Sequence, residues 1–176
     1  MPKLSVIIIA KNESENIAEC IKSASFANEV IVLDSGSSDN TVPLAEKLGA
    51  KVFNRPWKGY GQHKNIAIQL AKHEWIFSLD ADERISPALK QEILEVINRP
   101  DFNVYDVPRR SLFVSRFIKH SGWQPDRTKR LFKKGSAKFS EHHVHEHLES
   151  KYEIGHLLQP LIHYSYRDFE TVLKKI

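Results

Sequence analysis

One cysteine, Cys20, stands in 176 residues, so no internal disulfide can form and a reducing compartment suits the chain. No stretch approaches the roughly 20 apolar residues that span a bilayer. Met1-Pro2-Lys3 leads straight into an apolar run, without an h-region or a small-residue cleavage site. A cytoplasmic chain is the expectation that fits these absences. Internal repeats and low-complexity tracts are also missing. No segment matches a nucleic-acid-binding module, so nucleic acid is not expected as a partner. The first apolar run is not followed by a glycine-rich basic loop, which a nucleotidyltransferase would carry; that position holds Lys11-Asn12-Glu13.

The length suits one domain with a sizeable core. Net charge is +4 and unevenly placed: from Arg109 to Lys138 basic residues recur with a single acid, Asp126, and Phe113, Phe117, Trp123 and Phe132 are interleaved. This stretch reads either as a solvated face or as a contact for anionic lipid or phosphorylated glycan.

The first hundred residues alternate apolar runs with helical periodicity. Leu4 to Ile9, Val30 to Leu33, Lys51 to Phe53 and Trp75 to Leu79 read as strands, the first two and the last as buried ones. Ile17, Cys20, Ile21 and Ala24 recur at helical spacing, with Asn12 and Ser14 as candidate caps. A second helix starts near Asp39 and stops at Gly49. A third carries Ile66, Ala67, Leu70 and Ala71, and a fourth opens at Ser86-Pro87. The order predicts an α/β fold with a mostly parallel central sheet and helices on both faces. Beyond Pro100, strands are expected at Val104 to Val107 and Leu112 to Ile118. Residues 119–150 read as the least regular part, and Asp168 to Ile176 as an amphipathic helix.

In open α/β sheets ligands sit beyond the carboxyl ends of strands. Three polar groups occupy such ends: Ala10-Lys11-Asn12-Glu13, Asp34-Ser35-Gly36-Ser37-Ser38-Asp39 and Asp80-Ala81-Asp82-Glu83. Asp80 and Asp82, two apart, let one tight turn aim both carboxylates into one cleft. That suits a hard divalent cation, which takes oxygen ligands, waters and substrate phosphates. By itself Asp34 is more often a loop or cap residue.

This ordered set, with the helix start Gly61-Gln62-His63-Lys64-Asn65, resembles the family 2 inverting glycosyltransferases of GT-A fold. Gly122-Trp123-Gln124-Pro125-Asp126, Arg130-Leu131-Phe132, Val144-His145-Glu146 and His163-Tyr164-Ser165-Tyr166 are similar to a narrower group that contains bacterial lipopolysaccharide-core β-1,4-glucosyltransferases. The resemblance covers essentially the whole chain. It implies one glycosyltransferase domain, 1–176, with a nucleotide-sugar-binding half (1–100) and an acceptor-facing half (101–176). Members of the group continue with further helical sequence, so additional membrane or acceptor contacts are expected beyond Ile176.

The resemblance also implies roles. Ala10, Lys11, Glu13, Asp34, Lys64, Asp80, Ala81 and Asp82 would bind a UDP-sugar donor, Asp34 taking the uracil N3–H and Lys64 lying near the base or diphosphate. Asp80 would contact the ribose and reach the metal through water. Asp82 and His163 would ligate Mg²⁺ or Mn²⁺. Glu146 would be the general base, with Glu83 as runner-up, since a single displacement with one base inverts configuration. Trp123 and Arg130 would face the acceptor, an anionic glycan or glycolipid, with peripheral contact at the cytoplasmic face of the inner membrane. Donor hexose and acceptor stay open, glucose and a lipopolysaccharide or lipooligosaccharide core being preferred. Two readings come from other classes. His143, Glu146 and His147 match the H-x-x-E-H pattern of zinc peptidases, but their surroundings lack an apolar helical stripe. The chain also reads as a nucleotide-binding module without catalysis.

Overall fold

The computed structural model describes residues 1–113, 116–117, 126–141 and 146–166. The first half follows the expected alternation: β1 (Leu4–Ala10), α1 (Ile17–Ser23), β2 (Glu29–Asp34), α2 (Thr41–Lys47), β3 (Lys51–Asn54), α3 (Tyr60–Leu70), β4 (Trp75–Asp80), β5 (Glu83–Ile85) and α4 (Pro87–Asn98). β1 lies between β2 and β4, parallel to both. Successive strand residues point to opposite faces. Leu4, Val6 and Ile8 join one core with Ile17, Cys20 and Ile21 of α1 and Leu89, Ile93 and Ile97 of α4. Ile7 joins a second core with Ile31, Leu33 and the α3 residues Ala67 and Ile68. A strand covered on both faces needs apolar side chains throughout, which explains the unbroken run.

Local signals hold for α4, where Pro87 opens the helix and Ser86 Oγ accepts from the Leu89 N–H at 3.1 Å. They fail for α1, which starts at Ile17 without a side-chain cap bond. Asn12, a candidate cap, takes a left-handed φ of 55°, and its Oδ1 accepts from the Ser38 N–H at 2.8 Å. A loop-to-loop contact competes for the side chain and wins, in a conformation that asparagine tolerates.

The second half adds β6 (Val104–Phe113), β7 (Arg116–Phe117), β8 (Arg127–Lys133), β9 (Lys138–Phe139), β10 (Leu148–Glu149), β11 (Ile154–His156) and β12 (Leu161–Tyr166). The main sheet has the order β3-β2-β1-β4-β8-β6-β12-β5, with β7 and β11 also on β6, and β9 pairs with β10 separately. β3, β2, β1 and β4 are parallel. β8 then enters antiparallel to β4 and β6. The two strands expected at 104–107 and 112–118 differ from the observed β6, a single strand that continues through Pro108. A register shift between Tyr105 and Asp106 precedes the proline and relaxes the ladder where it has no N–H to give. The segment read as least regular contains β8, whose Leu131 and Phe132 are buried. The helix expected at Asp168 to Ile176 lies outside the described residues. Among the described residues no helix is long and apolar enough to cross a membrane.

The topology sets up one rim. Ala10 lies opposite Asp34, and Ile9 opposite Asp80, so the carboxyl ends of β1, β2 and β4 are neighbours. β12 pairs His163 with Glu83 beside the turn that follows β4. β8 runs the other way, with Lys133 opposite Trp75 at the start of β4. Its first residues therefore lie toward the rim and its last at the opposite edge of the sheet.

Candidate active site

Two loops form the floor at the ends of β1 and β2. Asp34 is fully buried: its Oδ2 accepts from the Gly36 and Ser37 N–H groups at 2.8 and 2.9 Å, and its Oδ1 accepts from the Ser37 hydroxyl. The Asn12 N–H donates to Ser37 Oγ at 2.8 Å, and the Ser14 N–H to Asp39 Oδ2 at 3.0 Å. Burial pushes the Asp39 carboxyl up, but the bonds from Thr41 and Ser14 outweigh it and hold the group well below the usual range. The Glu13 N–H donates to Thr41 Oγ1 at 2.7 Å, which ties the first loop to α2.

Helix α3 enters from the opposite face. A Cβ on Gly61 would fall 1.8 Å from the Ser140 carbonyl oxygen, so only glycine lets the first turn pack on the chain leaving β9. One turn on, Asn65 uses its amide as a strand does: Oδ1 accepts from the Phe139 N–H at 2.8 Å and Nδ2 donates to the Phe139 carbonyl at 2.9 Å. Between these anchors stands buried Lys64. Its Nζ lies 3.0 Å from Asp80 Oδ1 and 3.1 Å from Glu146 Oε1.

The turn 80–83 is fixed by a buried ion cluster. Arg130 Nη2 lies 2.6 Å from both Asp80 Oδ2 and Glu83 Oε1. Glu83 Oε2 accepts from the Asp80 N–H at 3.0 Å, and Arg109 Nη1 approaches Glu83 at 3.7 Å. Burial would raise the Asp80 carboxyl, yet Arg130 and Lys64 outweigh it and hold Asp80 ionised well below the carboxylate range. Glu83 is raised by burial, against the pull of Arg130. Glu83 thus braces the turn from within.

Asp82 points elsewhere. Its Oδ2 lies 3.3 Å from His163 Nε2, while His163 Nδ1 is 3.1 Å from Ser111 Oγ. The Tyr164 N–H donates to the Asp82 carbonyl at 2.9 Å, fixing β12 against the turn. If Ser111 accepts the Nδ1 proton, the Nε2 lone pair faces the Asp82 carboxylate, and a cation between them satisfies both. A carboxylate and an imidazole held side by side form a fitting donor pair for a divalent ion that draws its remaining ligands from phosphate and water. Among the described residues no cluster of three or more His, Cys, Asp or Glu ligands is present.

Three cavities share walls along the rim. The first, about 300 Å³, is lined by Ile9, Ala10, Lys11, Glu13, Ser35, Trp57 and Tyr60. The second, about 270 Å³, shares Ile9, Glu13 and Tyr60 with it and adds Lys64, Asp80, Ala81, Asp82, Glu146 and His163. The third, about 300 Å³, shares Lys64, Asp80 and Glu146 with the second and extends to Arg109, Arg127, Lys129, Arg130 and His147.

The candidate residues therefore meet, with qualifications. Ala10, Lys11, Glu13, Lys64, Asp80, Ala81, Asp82, Glu146 and His163 line one trench. Asp34 is sealed beneath its own loop rather than open to it. Arg130 borders the third cavity, but its guanidinium holds Asp80 and Glu83. Trp123 and His143 lie outside the described residues. Glu146 and His147 stand outside any helix, just before β10, which removes the helix that the peptidase pattern requires. Among the described residues the basic side chains of this stretch are divided between two edges of the sheet. Arg109 pairs with Asp126 and Arg127 with Asp106, while Lys134 caps the α3 end through the Ala71 carbonyl and Lys133 pairs with Glu74, both at the far edge of the sheet. Sequence reading missed Trp57 and Tyr60, which also line the first cavity and whose one signal is a pair of aromatics where a polar link enters α3.

The family model described as glycosyl transferase family 2 matches residues 5–151. An uncharacterized glycosyltransferase of Rickettsia conorii is 49% identical over 92 residues, 52% of this chain and 33% of that protein. The lipopolysaccharide core biosynthesis glycosyltransferase LpsC of Rhizobium meliloti is 29% identical over 164 residues, 88% of this chain and 61% of LpsC. The chain thus spans about a third of the length of the first of these relatives and about three fifths of the second. In fold it is similar to S. aureus TarS in complex with UDP, with a TM-score of 0.63 and 22% identity over 79% of this chain and 50% of that one. It is also similar to glucosyl-3-phosphoglycerate synthase of Mycobacterium tuberculosis in complex with Mn²⁺, UDP and glucosyl-3-phosphoglycerate, with a TM-score of 0.53 and 24% identity over 63% and 44%. These likenesses identify the architecture as the GT-A fold.

Proposed function

The chain belongs to family 2 of the glycosyltransferases, and from that premise we propose that it transfers a hexose, glucose from UDP-glucose, to a lipopolysaccharide or lipooligosaccharide core acceptor with inversion at the anomeric carbon. The observation that carries this reading is the three-part trench, with Asp82 and His163 paired in its middle and Glu146 on the wall shared with the third part. A nucleoside, a diphosphate and a sugar meeting its acceptor follow one another in that order. The name of LpsC supports the acceptor class, and the UDP and Mn²⁺ complexes of the structural neighbours support the donor and the metal.

Each side chain has a task in this reading. Ala10, Lys11 and Glu13 border the nucleoside, and Asp34 takes the base N3–H once its loop opens and the Ser37 hydroxyl turns away from it. Asp82 and His163 hold Mg²⁺ or Mn²⁺, which when bound neutralises the charge that develops on the leaving diphosphate. Lys64 adds a fixed positive charge beside the same phosphates, and Asp80 orients Lys64 as well as the ribose. Glu146 takes the proton from the acceptor hydroxyl; one base and one displacement invert configuration. The acceptor is an anionic glycan or glycolipid, and the enzyme works at the cytoplasmic face of the inner membrane.

The reading is tested by a thermal-shift panel of UDP, GDP, CMP and dTDP sugars, each with and without Mn²⁺. UDP-sugars should stabilise the wild type most, and only with Mn²⁺, while Asp82→Ala should lose the metal-dependent part. Stabilisation by zinc alone would favour a peptidase. Nucleotide binding without transfer to any glycan would favour a non-catalytic module.

A further inference from the structure

Trp57, in the link between β3 and α3, and Tyr60, the first residue of α3, are both largely exposed, at 44% and 56%. Exposed rings are ordinarily mobile, yet Trp57 is held on two sides. The Tyr60 ring meets it edge-on at 4.8 Å, and the His63 ring lies at 5.1 Å. His63 is itself buried and anchored, with Nε2 3.0 Å from Ser35 Oγ. Burial lowers its pKa, with Asp34 opposing, which favours the neutral imidazole beside Trp57. The link is also pinned at its start, since the Arg55 N–H donates to the Asp34 carbonyl at 3.0 Å. The protein therefore fixes a broad aromatic side chain at the edge of the first cavity, which Ser35 also lines, and leaves it part-exposed.

We propose that Trp57, braced by Tyr60 and His63, is the stacking wall for the donor's nucleobase. The inference rests on the donor reading above and adds residues to it. The first cavity is the trench compartment beyond the Asp82–His163 pair on the side away from Arg127 and Lys129, so it takes the end of a nucleoside diphosphate that carries no phosphate. Every nucleobase offers a π-face, and an indole ring held from two sides loses little freedom when it stacks. With Asp34 sealed under its own loop, stacking supplies a share of base affinity that does not depend on opening that loop.

The test compares UDP with Mn²⁺–pyrophosphate, a base-free probe, by calorimetry on the full chain. Trp57→Leu should weaken UDP by about tenfold to a hundredfold, in line with the loss of one base–aromatic stack, and leave pyrophosphate unchanged. Trp57→Phe should stay within a few-fold of wild type, and in transfer assays Trp57→Leu should raise the donor KM more than it lowers kcat. If wild type binds UDP and Trp57→Leu binds it equally well, the inference is overturned while the donor reading stands. Equal weakening of UDP and pyrophosphate overturns it too, because the link would then be holding the fold. If wild type binds no nucleoside diphosphate, both readings fall together.

Discussion

Glu146 and Lys64 are 82 positions apart in the chain and 3.1 Å apart in space. In the donor-free protein the proposed base is therefore ion-paired. The same lysine holds Asp80 at 3.0 Å, so a diphosphate arriving beside it competes with both carboxylates for one ammonium. Glu146→Gln keeps the shape and a hydrogen bond to Lys64 but removes the proton acceptor. It should lower kcat by about 10²–10⁴-fold without weakening UDP, whose competition for Lys64 it relieves. Transfer at the wild-type rate would remove Glu146 from the role of base. At this scale the sequence shows what is local. Asp80 and Asp82 are legible as a pair because one turn carries both. The Arg130 link to Asp80 and Glu83 is not, because it closes across 50 residues and depends on how β8 enters the sheet. Asp34 carries a local signal of a different kind. A carboxylate followed by small residues invites its own backbone N–H groups, and here they take it.

At the scale of elements, the β1-to-α4 alternation is legible because each piece is buried in a way that leaves a period in the sequence. β8 and β12 are not: Arg127-Thr128-Lys129-Arg130 and His163-Tyr164 face the site or solvent, and their pairing partners are remote. Helix α3 shows how an element sets a site. Gly61→Ala would drive a methyl group into the Ser140 carbonyl, costing about 1–3 kcal/mol by overpacking and displacing Lys64. Urea denaturation should show that loss, and UDP affinity should fall with it; unchanged stability would mean the close approach is not real. At the opposite edge of the sheet, Glu29 joins three elements. It accepts from Ser5 Oγ at 2.7 Å and the Lys72 N–H at 2.9 Å, and it pairs with Lys51 at 2.7 Å. Burial pushes its carboxyl up, but these partners bring it from an ordinary 4.5 down to about 2. A depressed folded pKa gives stability that is present above the unfolded value and lost as pH falls through the folded one. The Glu29 contribution should therefore disappear between pH 4.5 and 2. Glu29→Gln should cost about 2 kcal/mol at pH 7 and flatten the acid-unfolding curve in that window. An acid transition unaltered by the substitution would contradict the assignment.

For the whole molecule, the direction of the sheet separates chemistry from scaffold. The ends of β1, β2 and β4 carry the trench, and the start of β4 faces the other way, beside Lys133. Among the described residues, a basic run that reads as one feature in the sequence is divided between these two edges. Lys133→Gln with Lys134→Gln should accordingly leave acceptor KM within about twofold and cost at most about 1 kcal/mol through the lost cap on α3. A several-fold rise in acceptor KM in steady-state assays would return that edge to the acceptor. The central claim is that the trench transfers a sugar from UDP-glucose by one metal-assisted displacement. It is tested most directly by NMR of the product formed from UDP-glucose, Mn²⁺ and delipidated lipopolysaccharide core oligosaccharide. The expected product carries a newly formed β-glucosidic linkage, and EDTA abolishes it; an α-linked product, or equal yield with EDTA, would contradict the account.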